Sequence, residues 1–411
     1  MVLQKKRRLS YARIFIYALS TLSLLALIAL FVAPELQTGI FFRQCQDYLA
    51  DFTNVILYAM DLDPYHSPYG VDAEHAYLPL SYLITYPFVS LLDPGDSRSF
   101  TMWHSPLLMN CIQLFFTLIT VTVFIQFYEM TEGTKRTKFL VAVLLICSRL
   151  YLFSVERGNL MLLAFSFILF FLMQYNSKSK LLRELAFLAL AAAAALKLFP
   201  AAFGLLLLYE KRYREALRLM LYGALVCFLP FLLLKGGFSN LPVFWENMQA
   251  NVVAYTGEGN CNLSSLIFPY AENRPYLFLL STAATGLITA SLLLNYLIEP
   301  YRWRKLLSLS MMMIMLPSHS ATYNMLILLP AIVLFLNEKQ HGKFDWTYLP
   351  LFLLLLSPLN LMEHGSYNQV LAALFLLLGI QAACNLIRNK HALAEAWRSF
   401  FPQGVQPNNK I

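Results

Sequence analysis

Long apolar runs, separated by short polar clusters, make up most of this chain. Residues 14–33, 105–128, 139–153, 159–175, 184–197, 200–209, 216–235, 276–298, 303–316, 321–337, 346–358 and 368–387 each read as a mostly apolar helix. None shows the period-two alternation of a barrel strand. Lipid gives the backbone no hydrogen-bond partner, so these unbroken runs must be helices. The pattern predicts an all-α polytopic membrane protein of about 12 transmembrane helices, with a range of about 11–13. Segments 139–153, 159–175, 184–197 and 200–209 fall short of the ~20 residues that a span needs. The stretch 184–209 is either two helices or one interrupted at Pro200, and 77–92, with Pro79 and Pro87, either spans or re-enters. The first run follows LQKKRR and lacks a small-residue cleavage site, so it reads as a retained helix.

Composition agrees with this class: 58% of residues are hydrophobic and 13% charged. The net charge of +8 follows topology rather than an anionic polymer. Alternate connections carry KKRR, TKRTK, SKSKLLR, EKRYR, YRWRK, NEKQHGK and IRNKH. Placed on one side, these clusters satisfy the positive-inside rule with both termini cytoplasmic, and no nucleic-acid partner is expected. The loops 34–104 and 236–275 then face out. Residues 1–411 form a single membrane domain without repeats or a soluble module. Cys45 and Cys261 fall in outer loops, where a disulfide is permitted, whereas Cys111, Cys147, Cys227 and Cys384 fall in apolar helices.

The first outer loop departs from the rest of the composition. Residues 51–83 hold four Asp, one Glu and two His. Gln44, Asp47, Asp51, Asn54, Tyr58 and Asp61 recur every three or four positions, opposite Phe52, Val55, Ile56, Ala59 and Leu62. This predicts an interfacial helix with its carboxylates toward water, ended by Pro64. Most of those acids read as a solvated face. The functional reading is a general base held where an acceptor hydroxyl meets a lipid-borne electrophile.

Several motifs occur in order: D-F-x-x-V-x-x-Y-A from Asp51, then D-P-Y and A-Y-x-P-L, ERGN at 156–159, ALKLFPAAFGLLLLYEKRYREA at 195–216, GNCNLSSL at 259–266 and PSHSATYNMLILLP at 317–330. Together they resemble glycosyltransferase family 87 of the GT-C superfamily, which includes phosphatidylinositol-mannoside mannosyltransferases. Two departures are visible: Tyr77-Leu78-Pro79 stands for Tyr-Pro-Pro, and Arg157-Gly158-Asn159 replaces a Gln-containing form. The resemblance implies a GT-C-type bundle in a bacterial cytoplasmic membrane, working on its extracytoplasmic face. It implies inverting transfer of a sugar from a polyprenyl-phosphate donor to a lipid or glycan acceptor.

That chemistry needs a carboxylate to take the acceptor proton and cations for the departing phosphate. Asp51 is the expected base, with Asp47 one helical turn earlier as the alternative. Seven cations escape the basic clusters: Arg43, Arg98, Arg149, Arg157, Lys197, Lys235 and Arg274. Arg149 and Lys197 sit in or beside apolar helices, where a charge costs ~2.5–3.5 kcal/mol and implies a partner or a function. Lys197, Arg157 and Arg149 are the candidates for the donor phosphate, and His319 for orienting the base or contacting substrate. Tyr65, Tyr77, His66, His75, Asn159, Asn260 and Asn262 are candidate substrate contacts. No metal-ligand triad and no nucleotide motif is visible, so no cofactor is expected; a divalent ion bridging Asp and phosphate stays open. Two competing readings remain: an O-antigen ligase or polymerase, disfavoured because the acidic loop follows the first helix, and a lipid or glycan transporter, disfavoured by the absence of an internal repeat.

Overall fold

The computed structural model describes residues 10–33, 48–92, 105–254, 261, 275–317, 320–342, 344–359 and 366–388. The α-helices among these residues are α1 (Tyr11–Val32), α2 (Ala50–Tyr58), α3 (Pro79–Thr85), α4 (Pro106–Met130), α5 (Lys135–Ile146), α6 (Arg149–Arg157), α7 (Met161–Gln174), α8 (Lys180–Leu196), α9 (Leu205–Tyr209), α10 (Tyr213–Phe228), α11 (Asn240–Ala254), α12 (Pro275–Ile298), α13 (Arg302–Met315), α14 (Leu329–Asn337), α15 (Tyr348–Leu356) and α16 (Ser366–Arg388). No strand occurs among the described residues.

The helices sort into a core and a shell. In α13 every residue from Leu306 to Met315 is buried, as expected of a helix apolar on all sides. It packs on α12 and α14, while α7, α8 and α10 form a second tight group in which Ala193, Ala194 and Ala195 allow close approach. By contrast α1, α4 and α16 are apolar yet expose Leu24, Phe31, Leu114, Leu118, Leu376 and Ile380. An apolar exterior of this kind is a lipid-facing surface, and the protein is an integral membrane protein.

Each of the twelve expected runs contains helix, but twelve full spans do not follow. Four described helices are long and apolar enough to cross alone: α1, α4, α10 with its 229–233 turn, and α16. The pair α5–α6, bent by 49°, makes a fifth. Residues 139–153 are therefore not one straight helix. Ser148 is extended and its hydroxyl donates to the Leu145 carbonyl at 2.6 Å, which competes with helix continuation. Several remaining segments are short apolar helices, of which α7 and α14 are largely enclosed by their neighbours while α9 buries only Leu207. Residues 79–91 are too short to span, and α3 instead packs on α2 and α8.

The polypeptide also turns back where 184–209 had two readings. Lys197 is extended, the first residue past α8, and the chain then returns through a 3₁₀ turn at Phe199–Gly204 and α9. Glu210, just past α9, accepts a hydrogen bond of 2.8 Å from the Tyr175 hydroxyl near the start of α8. One end of the bundle thus gathers the connections near 132, 175, 210, 300 and 340. Glu132 N donates to Asn337 Oδ1 at 2.8 Å, and Arg302 reaches Tyr175. The ring of Tyr11 meets His341, and Asn385 donates to Glu299, so both described chain ends lie at this basic end. At the opposite end the first loop is pinned to later segments. Leu49 N donates to Glu156 O at 2.7 Å, and Lys235 N donates to Leu62 O at 2.8 Å.

Candidate active site

Helix α2 is short and its apolar side is buried: Phe52, Val55 and Ile56 sit in the core, with Phe52 against Phe88, Phe115 and Phe116. The expectation that its polar stripe faces open water holds for Asp61, which is exposed, but Asp51, Asn54 and Tyr58 line a cavity of about 630 Å³. Helical periodicity identifies a polar face; it does not say what lies against that face.

The ERGN segment explains how Asp51 is held. Gly158 caps α6 at φ 62°, and a Cβ there would lie 3.0 Å from Leu49 Cα, so glycine is needed both for its conformation and for the close approach of α2. Arg157, the last residue of α6, donates from Nε and Nη2 to Asp51 Oδ1 at 3.1 and 2.5 Å. Asn159 accepts the Met161 amide on its Oδ1, which turns its Nδ2 toward Asp51 Oδ2 at 2.7 Å. A carboxylate offers about four acceptor positions. Among the described residues three are filled, two on Oδ1 and one on Oδ2.

Lys197 closes the other side. Its ammonium lies 4.8 Å from the centre of the Tyr77 ring and 5.4 Å from that of Tyr323. Burial pushes its pKa down to about 8, with the Asp51 charge acting in the opposite direction. Burial likewise raises the Tyr77 phenol well above its usual value, leaving it a neutral hydrogen-bonding group. Arg157, Lys197, Asp51 and Tyr77 all line the one cavity.

Other candidates fall elsewhere. Arg149 lies over the Tyr367 ring at 4.8 Å and does not line the cavity. His66 is exposed and donates to Asp63 at 2.9 Å. His75 is buried, its Nε2–H donating to the Tyr69 carbonyl at 2.7 Å. Tyr65 is a wall strut, stacked on Phe231 and donating to the Tyr77 carbonyl at 2.9 Å. Asp47, His319, Asn260, Asn262 and Cys45 lie outside the described residues. Cys261 is a buried free thiol against Thr322. Among the described residues no three His, Cys, Asp or Glu side chains converge as a metal site.

Sequence reasoning missed part of the wall. Glu74 accepts the Tyr58 hydroxyl and lines the cavity together with Asn251, Tyr323 and Asn324. Asn251 also ties α11 to the first loop, its Nδ2 donating to the Ala73 carbonyl at 2.7 Å. Tyr323 stands inside the PSHSATYN motif, and that motif was the available signal.

The arrangement sets a carboxylate beside two cations in one chamber with a mixed polar and apolar wall. It can take a proton while neighbouring charge stabilises an anion. No curated relative and no solved structure matches the chain. Residues 76–319, more than half its length, match glycosyltransferase family 87, and the match begins beyond Asp51. The chain belongs to glycosyltransferase family 87, and its activity is that of a membrane glycosyltransferase.

Proposed function

We propose that the protein moves a sugar from a polyprenyl-phosphate donor to a lipid or glycan acceptor at the end of the bundle that carries Asp51. The acceptor oxygen attacks the anomeric carbon as the bond from that carbon to the phosphate oxygen breaks. The bonding pair leaves with the polyprenyl phosphate, the acceptor proton goes to Asp51, and the anomeric centre inverts. Arg157 and Lys197 meet the phosphate charge. Arg157 exchanges part of its contact with Asp51 for the phosphate, which frees further acceptor capacity on the carboxylate. Tyr77 and Tyr323 supply faces for the sugar ring. The basic end faces the cytoplasm by the positive-inside rule, so the site faces out.

The observation that carries this reading is the shared cavity: Asp51, Arg157 and Lys197 all border it. The experiment is product analysis after incubating purified protein with polyprenyl-phosphate sugars and membrane lipid extract. Wild type should form a glycosylated product. Asp51→Asn should lose ~10²–10⁴ in rate, the effect of removing a positioned base. Exposed Asp61, which does not line the cavity, should tolerate the same change with little loss. Lipid movement across vesicles without any product would point to transport and refute the reading.

A further inference from the structure

A second cavity, of about 570 Å³, lies at the basic end of the bundle, away from Asp51. It is bordered by residues of α4, α7, α9, α12, α13 and α14. Leu172, Leu206 and Leu306 give it apolar wall. Two cations also border it. Lys305 donates to the Tyr209 hydroxyl and sits 3.6 Å from the centre of that ring. Arg302 donates to the Tyr175 hydroxyl at 3.4 Å.

The charge balance of this chamber decides what fits. Two carboxylates line it, and both have cationic partners that lie outside it. Glu210 pairs with Arg212 at 3.1 Å and accepts the Tyr175 hydroxyl, and Glu129 faces Lys138 at 3.9 Å. Neither Arg302 nor Lys305 has a carboxylate within ion-pair distance among the described residues, whereas Arg183, Arg212, Arg218 and Arg304 at the same end all do. The cavity therefore keeps a positive excess at the basic end of the bundle.

We propose that this cavity binds the phosphate headgroup of an anionic membrane lipid. Guanidinium and ammonium suit phosphate oxygens, the first by paired hydrogen bonds and the second as a point charge. The apolar wall suits the glycerol and upper chain of such a lipid, and a chamber of this size holds a headgroup rather than a whole lipid. Anionic lipids are enriched on the cytoplasmic leaflet, the side to which the basic connections assign this end. The site is separate from the Asp51 chamber and stands whether or not that chamber carries out sugar transfer.

Native mass spectrometry of the full chain tests it, with dioctanoyl phosphatidylglycerol, dioctanoyl phosphatidylcholine and inorganic phosphate as probes. Wild type should bind the anionic lipid about tenfold more tightly than the zwitterionic one. Arg302→Gln/Lys305→Gln should erase that preference, and Arg302→Lys should keep part of it. An unchanged preference in the double variant overturns the proposal. Displacement of the lipid by millimolar inorganic phosphate overturns the lipid assignment in favour of a free phosphate ligand. A measurement on wild type alone guards against a variant that does not fold. The anionic lipid should protect Lys305 from amine acetylation, and unchanged modification again overturns the proposal.

Discussion

The amide of Leu49 donates to the carbonyl of Glu156 at 2.7 Å, and this bond joins the helix that carries Asp51 to the end of α6 that carries Arg157. Gly158 makes the contact feasible, since a Cβ there would press on Leu49 Cα at 3.0 Å. Gly158→Ala adds that clash to a left-handed backbone costing ~1–2 kcal/mol for an L residue. The variant should fold with a lowered Tm and lose at least ~10-fold in kcat, because Asp51 moves relative to Arg157 and small misplacements are costly in catalysis. Wild-type kcat in a folded Gly158→Ala would mean that this docking does not set the site.

Arg157 and Lys197 should differ in what their loss does. Arg157 both holds Asp51 and faces the cavity, so under the proposed function Arg157→Ala releases the carboxylate as well as removing a phosphate partner. Lys197 makes no ion pair with Asp51 among the described residues, and under the same proposal its part is with the donor phosphate. Lys197→Ala should therefore change kinetics with respect to the donor and leave the acceptor KM in place. Arg157→Ala should lower kcat by a further ~10-fold, in the range that one electrostatic donor supplies. Equal effects, measured by varying donor and acceptor separately, would assign both cations to the phosphate only.

The sequence made the helices and the two cations legible for one physical reason: apolar medium tolerates neither an open backbone nor an idle charge. Polar interruptions therefore mark helix ends, and Lys197 stands out at the end of an apolar run, while Arg157 stands out as a cation outside the basic clusters within the ERGN motif. The same reasoning singled out Arg149, which stacks on Tyr367 away from the cavity; a buried cation announces a partner without saying which. The break at Ser148 carries no Gly or Pro to announce it. Glu74 and Asn251 were invisible as wall residues because tertiary packing alone brings α11 against the first loop.

A buried ion cluster fixes the other end of the molecule. Arg304 pairs with Glu299 at 2.9 Å and with Asp345, while Asn385 reaches Glu299 at 3.1 Å and His341 reaches Asp345 at 3.3 Å. Four segments meet there, and the Arg304, Glu299 and Asp345 side chains are 5% exposed or less. Arg304→Met leaves two buried carboxylates uncompensated, a loss of ~3–5 kcal/mol when one partner of a buried pair is removed. Thermal unfolding in detergent should show a marked drop in Tm. Adding Glu299→Gln and Asp345→Asn should restore much of it, since the charges then vanish together. A single variant as stable as wild type would mean that water reaches the cluster.

Under the proposed function, Lys197 gives the pH dependence of the reaction its sign. Burial lowers its pKa to about 8, so an ammonium proposed to serve the donor phosphate is present below pH ~8 and is lost as pH rises through that value. Donor KM should accordingly be flat near neutrality and climb by about tenfold per pH unit at most on the alkaline side. Acceptor KM should not follow it. Arg stays charged throughout this range, so Lys197→Arg should remove the alkaline limb even where its different shape raises donor KM at every pH. Lys197→Met should show the weak, pH-independent binding that wild type approaches at high pH. If the alkaline limb survives in Lys197→Arg, another group titrates, and Lys197 is then a structural cation seated between Tyr77 and Tyr323.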